Sequence, residues 1–111
     1  MLPGLYSVVF SAPSGNAGIG LVVADRGKLH GGDLSYLYRG TYETEGSSVK
    51  ARIYVSHYRG QPNSILGPLG SFTLILSGNS SDTGFVLSGH VEDRPQLMIS
   101  ITAERRAPLI E

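Results

Sequence analysis

KLHGGDLSYLYRGTY, residues 28–42, joins two unlike signals. Gly31, Gly32 and Asp33 come first. Glycine takes positive φ at no steric cost, and an aspartate oxygen accepts a backbone N–H two or three residues on. The spacing therefore predicts a turn with at least one of Gly31 and Gly32 at positive φ, and one short helical turn at Leu34 and Ser35. A strict alternation follows, with Tyr36, Tyr38, Gly40 and Tyr42 on one face and Leu37, Arg39 and Thr41 on the other. That period of two is a strand. Three tyrosines on one face give a large apolar area with polar tips, the wall of a β core or the lining of a pocket or partner surface.

Outward from this strand the same period recurs. Upstream, Gly4 to Ala12 alternates Tyr6, Val8 and Phe10 with Leu5, Ser7 and Val9, and Ile19 to Ala24 forms a second strand. The turn Asp25, Arg26, Gly27 then leads into a short third strand, Lys28 to His30. The tyrosine strand, Tyr36 to Glu43, is the fourth. Downstream, Thr44 to Ser47 reads as a turn, and Val49, Ala51, Ile53 and Val55 alternate with Lys50, Arg52, Tyr54 and Ser56. Arg59 to Gly70 carries Pro62 and Pro68, too broken for a helix and longer than a hairpin needs. Three further strands follow, Ser71 to Ser77, Gly84 to Glu92 and Leu97 to Glu104, separated by turns at Gly78 to Thr83 and Asp93 to Pro95.

No stretch sustains a helical period, so the expected class is all-β. About eight short antiparallel strands joined by tight turns close on themselves, because closure removes the exposed edges that invite aggregation. The expected architecture is an up-and-down barrel over residues 1–106 as a single domain, with 107–111 a C-terminal tail. A two-sheet sandwich is the competing arrangement. An eight-stranded barrel is just wide enough to be filled by side chains or to hold one small ligand.

The totals exclude several functions. Nine basic residues balance nine acidic ones over 111 residues, so no net positive field collects phosphate contacts along a nucleic acid. Cysteine is absent, which removes disulfides, thiol nucleophiles and cysteine metal sites. The first charged side chain is Asp25, yet Pro3, Gly4, Ser7, Ser11, Pro13 and Gly15 break up what an export signal needs unbroken. No run reaches the roughly eighteen apolar residues of a spanning helix. A cytoplasmic protein without membrane contact is expected. Asn79, Ser80 and Ser81 match a glycosylation sequon and read as a polar turn.

Catalytic groups are sparse. His30, His57 and His90 have no metal-ligand spacing, and His57 and His90 alternate with apolar residues, which places them on exposed faces. No serine sits in a nucleophile elbow. Gly15, Gly18 and Gly20 lack the lysine and following helix of a phosphate loop. Gly32-Asp33 begins like the signature of cyclic-dinucleotide synthases, but Leu34 and Ser35 follow and the chain is too short for that domain. The reading is a non-enzyme with no cofactor and no metal.

Taken together, Gly4-x-Tyr6 with Phe10, Gly18-x-Gly20, Gly31-Gly32-Asp33, Tyr38-x-Gly40 and the apolar strand after Ser64-Ile65-Leu66 resemble the GrlR-like negative regulators of bacterial type III secretion. The resemblance runs over residues 4 to 104. It implies a small lipocalin-like, or calycin-like, barrel that forms dimers and sequesters a transcriptional activator through an acidic surface loop. Where the family's best-known member carries four consecutive acidic residues between the fourth and fifth strands, this chain has Glu43, Thr44, Glu45 and Gly46, half the charge. Those four residues are the expected partner-binding site. A homodimer is also expected from the apolar outward positions Leu37, Ile75, Val86 and Met98.

A second hypothesis is a carrier that holds a small apolar ligand inside the barrel, with Tyr36, Tyr38, Tyr42 or Tyr54 offering a hydroxyl to its polar end. A continuous interior cavity would favour the carrier, and a filled core the regulator.

Overall fold

In the computed structural model, which describes residues 1–110, eight strands follow one another without a helix among the described residues. They are β1 (Gly4–Ser11), β2 (Ala17–Asp25), β3 (Lys28–Gly32), β4 (Tyr36–Glu45), β5 (Ser48–His57), β6 (Ser71–Ser80), β7 (Gly84–Val91) and β8 (Arg94–Ala107). Each pairs antiparallel with the next, and β8 pairs with β1, so the sheet closes into an up-and-down barrel. Closure leaves no strand edge unpaired and rules out the sandwich. The fold is the small lipocalin-like barrel in architecture.

Alternation sets inside from outside. On β5, Val49, Ala51, Ile53 and Val55 are buried while Lys50, Arg52 and Tyr54 face water. The expected inward faces of β6, β7 and β8 hold as well, with Leu74, Leu76, Phe85, Leu87, Val91, Ile99 and Ala103 all in the core. Aromatic rings meet across the interior. Tyr6 lies 5.2 Å from Phe85 and Phe10 stands edge-on to Tyr38 at 6.1 Å, centroid to centroid.

One end, the base, carries the short β2–β3, β4–β5 and β6–β7 turns. There the N-terminal residues fold under the barrel: Tyr6 donates its hydroxyl to the Leu2 carbonyl, and Arg105 donates to the Pro3 carbonyl at 2.9 and 3.1 Å. The other end, the mouth, carries residues 12–16, 33–35, 58–70 and 92–93. Segment 58–70 holds itself in a tight Ser64–Gly67 turn, in which Ser64 Oγ accepts the Leu66 N–H at 3.0 Å. Ile65 and Leu66, at the tip of that turn, pack against the core.

Three local expectations are corrected. Neither Gly31 nor Gly32 has positive φ; both lie in β3. A Cβ on Gly31 would stand 2.0 Å from the Leu21 carbonyl oxygen, so this residue is glycine because two backbones approach there. Leu34 and Ser35 form a bend with no helical turn, because Asp33 Oδ1 takes the N–H groups of both Ser35 and Tyr36 at 2.8 Å and fixes the chain directly. The β4–β5 turn is Gly46-Ser47 alone, with Gly46 at φ 60°, so Thr44 belongs to β4. Glycine at the first central position of a two-residue hairpin matches the right-handed twist of the strands.

Two glycine substitutions separate these causes. Gly31→Ala drives a methyl into fixed backbone and is expected to cost about 3 kcal/mol or more, the upper end of overpacking penalties. Gly46→Ala meets nothing within 4 Å and pays only for its left-handed φ, about 1 kcal/mol. Urea denaturation of the two variants should rank them in that order; equal midpoints would contradict it.

Candidate functional site

At the mouth, the Asp33 corner that follows β3 and the tyrosine strand form one hydrogen-bonded cluster. Asp33 uses Oδ1 for two backbone N–H groups and Oδ2 to accept the Tyr38 hydroxyl. Its own carbonyl accepts the Tyr58 hydroxyl at 2.7 Å. Tyr36 donates its hydroxyl to the Leu69 carbonyl at 2.5 Å, while Tyr58 N–H binds the Ser35 carbonyl at 2.9 Å. Segment 58–70 is thus fastened at both ends to the 33–36 corner. Asn16 ties its tip to the β1–β2 loop through the Ile65 carbonyl at 3.2 Å.

Two inward glycines of β2 make room for this cluster. A Cβ on Gly18 would fall 2.5 Å from the Phe10 ring, and one on Gly20 would fall 2.9 Å from the Tyr38 hydroxyl. Each glycine is therefore covered by an aromatic ring from the neighbouring wall, and Tyr38 reaches Asp33 across the space. Burial, reinforced by the Asp33 hydrogen bond and charge, pushes the Tyr38 hydroxyl far above the ordinary tyrosine range. Burial also raises Tyr36, with the Asp33 charge second, and it raises Tyr6, where nearby Arg105 works in the opposite direction.

Of the four tyrosines proposed to line a pocket, Tyr36, Tyr38 and Tyr42 are buried and inward, and Tyr36 and Tyr38 already have intramolecular acceptors for their hydroxyls. Tyr54 is corrected: it lies on the outer face of β5, 45% exposed, and offers nothing to the interior. His57 is corrected in the other direction. It continues the inward face of β5, its ring lies 5.5 Å from Tyr36, and its Nε2 is buried without a hydrogen-bond partner. The two best-defined hollows, about 390 and 310 Å³, both open on the outside of the barrel.

Glu43, Thr44, Glu45 and Gly46 lie at the base, at the opposite end from the Asp33 cluster, and all are exposed. Glu43 and Glu45 project to the same side of β4, opposite Lys50 and Ser48 in register. Around them the outer wall of β4 and β5 carries Arg39, Lys50 and Arg52, the last paired with Glu92 at 2.8 Å.

The opposite wall is different in kind. Val86, Thr102, Val9 and Ile19 form one row in register across β7, β8, β1 and β2, and a row of serines, Ser77, Ser88, Ser100 and Ser11, runs beside it from β6 to β1. Leu21 follows Ile19 on the same face. Val9, Ile19, Leu21 and Val86 are 52%, 74%, 61% and 57% exposed. Neither of the two rows holds Asp, Glu, Lys or Arg; the next row towards the base sets Leu21 in register with Ser7 and Glu104, and Glu104 is paired with Arg106. Of the four residues expected to carry self-association, Leu37, Val86 and Met98 are exposed and Ile75 is half-buried. Ile75 and Met98 flank His90 in one row across β6, β7 and β8, Val86 lies further along β7, and Leu37 stands apart on β4; Val9, Ile19 and Leu21 extend the apolar surface onto β1 and β2.

No known family model matches the chain, and no curated protein matches it either.

The raised tyrosines predict an alkaline limit. The folded chain holds protons that the unfolded chain releases above the ordinary value of 10.0. Their contribution to stability is therefore complete below about pH 10 and is lost as the pH rises beyond it. Tyr38→Phe strands Asp33 Oδ2 and is expected to cost about 1–2 kcal/mol at neutral pH. It should also flatten the decline in urea midpoint from about pH 8 to about pH 11. An unchanged alkaline slope would show that Tyr38 is not a source of it.

Proposed function

We propose that the protein is a non-enzymatic regulator that acts by binding other proteins with the outside of its barrel. The observation that carries this reading is the division of the outer wall: over β7, β8, β1 and β2 two adjoining rows are uncharged and partly apolar, bounded by the Glu104–Arg106 pair, while β4 and β5 carry Arg39, Glu43, Glu45, Lys50 and Arg52. An uncharged face suits a second copy of the chain, since a two-fold interface sets each patch against itself and like charges there would repel. The resemblance to GrlR-like regulators gives the reading its particular form, a homodimeric cytoplasmic repressor of type III secretion genes that captures a transcriptional activator. The Glu43–Gly46 segment is the reduced acidic site for that activator. Two exposed carboxylates on one side of a strand meet basic groups together and act mainly on association rate.

A carrier is the second reading. It is favoured by one observation, the buried and unpaired His57 Nε2 beneath segment 58–70, a polar atom that a ligand's donor or acceptor would satisfy. Saturable binding of a fluorescent apolar probe, abolished by His57→Phe, would favour it over the regulator.

Sedimentation at micromolar concentration is expected to give twice the chain mass of 11.8 kDa. Ile19→Glu with Leu21→Glu should return the protein to a monomer of unchanged circular dichroism, and a wild-type monomer would defeat the dimer. Replacing Glu43 and Glu45 by Gln keeps shape and removes charge. That variant should fold normally, stay dimeric and lose most repression of secretion genes; full repression would move the activator site elsewhere.

A further inference from the structure

The larger outer hollow, about 390 Å³, lies where β7, β8 and the β1–β2 loop meet, and its wall includes His90 and Met98. These two residues are direct cross-strand partners. Residues so paired have Cβ atoms about 4.5–5.5 Å apart, so their side chains work on the same volume. His90 is half-buried, and Met98, on the outer face of β8, is 51% exposed.

Two features orient the imidazole. His90 Nδ1 lies 2.9 Å from the Val91 carbonyl oxygen. A carbonyl only accepts, so Nδ1 carries the proton and the neutral ring keeps a lone pair on Nε2. A backbone carbonyl that fixes the tautomer in this way is the usual outer partner of a metal-ligating histidine. The register between β7 and β8 also slips between His90 and Val91, which pair with Met98 and Arg94. Such bulges re-aim a side chain.

We propose that His90 Nε2 and Met98 Sδ form a binding site for a soft monovalent metal ion of the Cu(I) class. A thioether is a soft ligand and imidazole is a good one for copper, whereas zinc, magnesium and calcium favour donor sets that this pair does not supply. No Asp or Glu lines the hollow; its remaining polar groups include the neutral hydroxyls of Ser11, Ser88 and Ser100. The site is a reversible two-ligand site, requires no redox step and adjoins the wall proposed to join copies, since Ser11, Ser88 and Ser100 belong to both.

Ag(I), which has the same preferences and no redox chemistry under these conditions, is the probe. Titration of the full chain, followed by the methionine methyl and histidine ring resonances, should move Met98 and His90 by one equivalent and leave His30, His57 and Met1 in place. Met98→Leu and His90→Gln, both on the outer face, should keep the fold and each weaken Ag(I) binding about tenfold or more, no less than the loss of an outer partner does at known sites. Zn(II) should leave the Met98 methyl unmoved. Unmoved Met98 with equimolar Ag(I), or a double variant that binds Ag(I) as tightly as the wild type, would overturn the site. A Met98 shift with Zn(II) would overturn its metal class.

Discussion

Closing eight strands into a barrel this narrow brings neighbouring backbones so near that several positions have no space for a side chain. At Gly31, Gly78, Gly84 and Gly89 an added Cβ would stand 1.8–2.0 Å from a carbonyl oxygen of the adjacent strand. Sharp local coiling at glycines is what lets a sheet turn its corner, since flat sheets do not close. Closure in turn gives the rest: an interior sized for Val, Leu, Phe and Tyr, and a wall with no free edge whose outside and two ends are the surfaces open to partners.

The interior and the mouth are linked through the same geometry. Glycines at 18 and 20 leave β2 bare on its inner side, so Phe10 and Tyr38 lie across it, and Tyr38 thereby reaches Asp33. Asp33 in turn holds the β3–β4 corner and, through its carbonyl, Tyr58. One aspartate thus couples the core to the covering segment. A polar atom stays behind beneath that segment: His57 Nε2, whose burial without a partner carries a desolvation cost of about 1–3 kcal/mol.

Much of the fold was legible because alternation is a strong signal where one face is wet. Lys50, Arg52 and Tyr54 identify the outer face of β5, and the same parity carried to the end of the strand puts His57 inside, against the exposed face expected for it. The expected positive φ at Gly31 or Gly32 was wrong for a definite reason: glycine marks a turn and a close backbone approach alike, and only the partner strand tells them apart. Strand ends were blurred at Gly78 and at Pro95, which sits near the start of β8 beside the register shift rather than in a turn. The apolar wall was partly hidden because β2 inverts the usual order, with glycines facing in and Ile19 and Leu21 facing out. Val22 and Ala24 further along the strand carried the parity that reveals it. The mouth cluster depends on contacts between residues 33–38 and 58–69, which no local pattern encodes.

The central proposal is that this barrel works through its outer wall, and that copies meet on the Val86–Thr102–Val9–Ile19 row and its neighbours. Hydroxyl-radical footprinting of the side chains, compared between dilute and concentrated protein, tests it most directly. The account predicts that Val9, Ile19, Leu21 and Val86 become protected on concentration while Leu34, 86% exposed at the mouth, keeps its reactivity. Equal labelling of all five at both concentrations, or protection confined to Leu34 and segment 58–70, would contradict it.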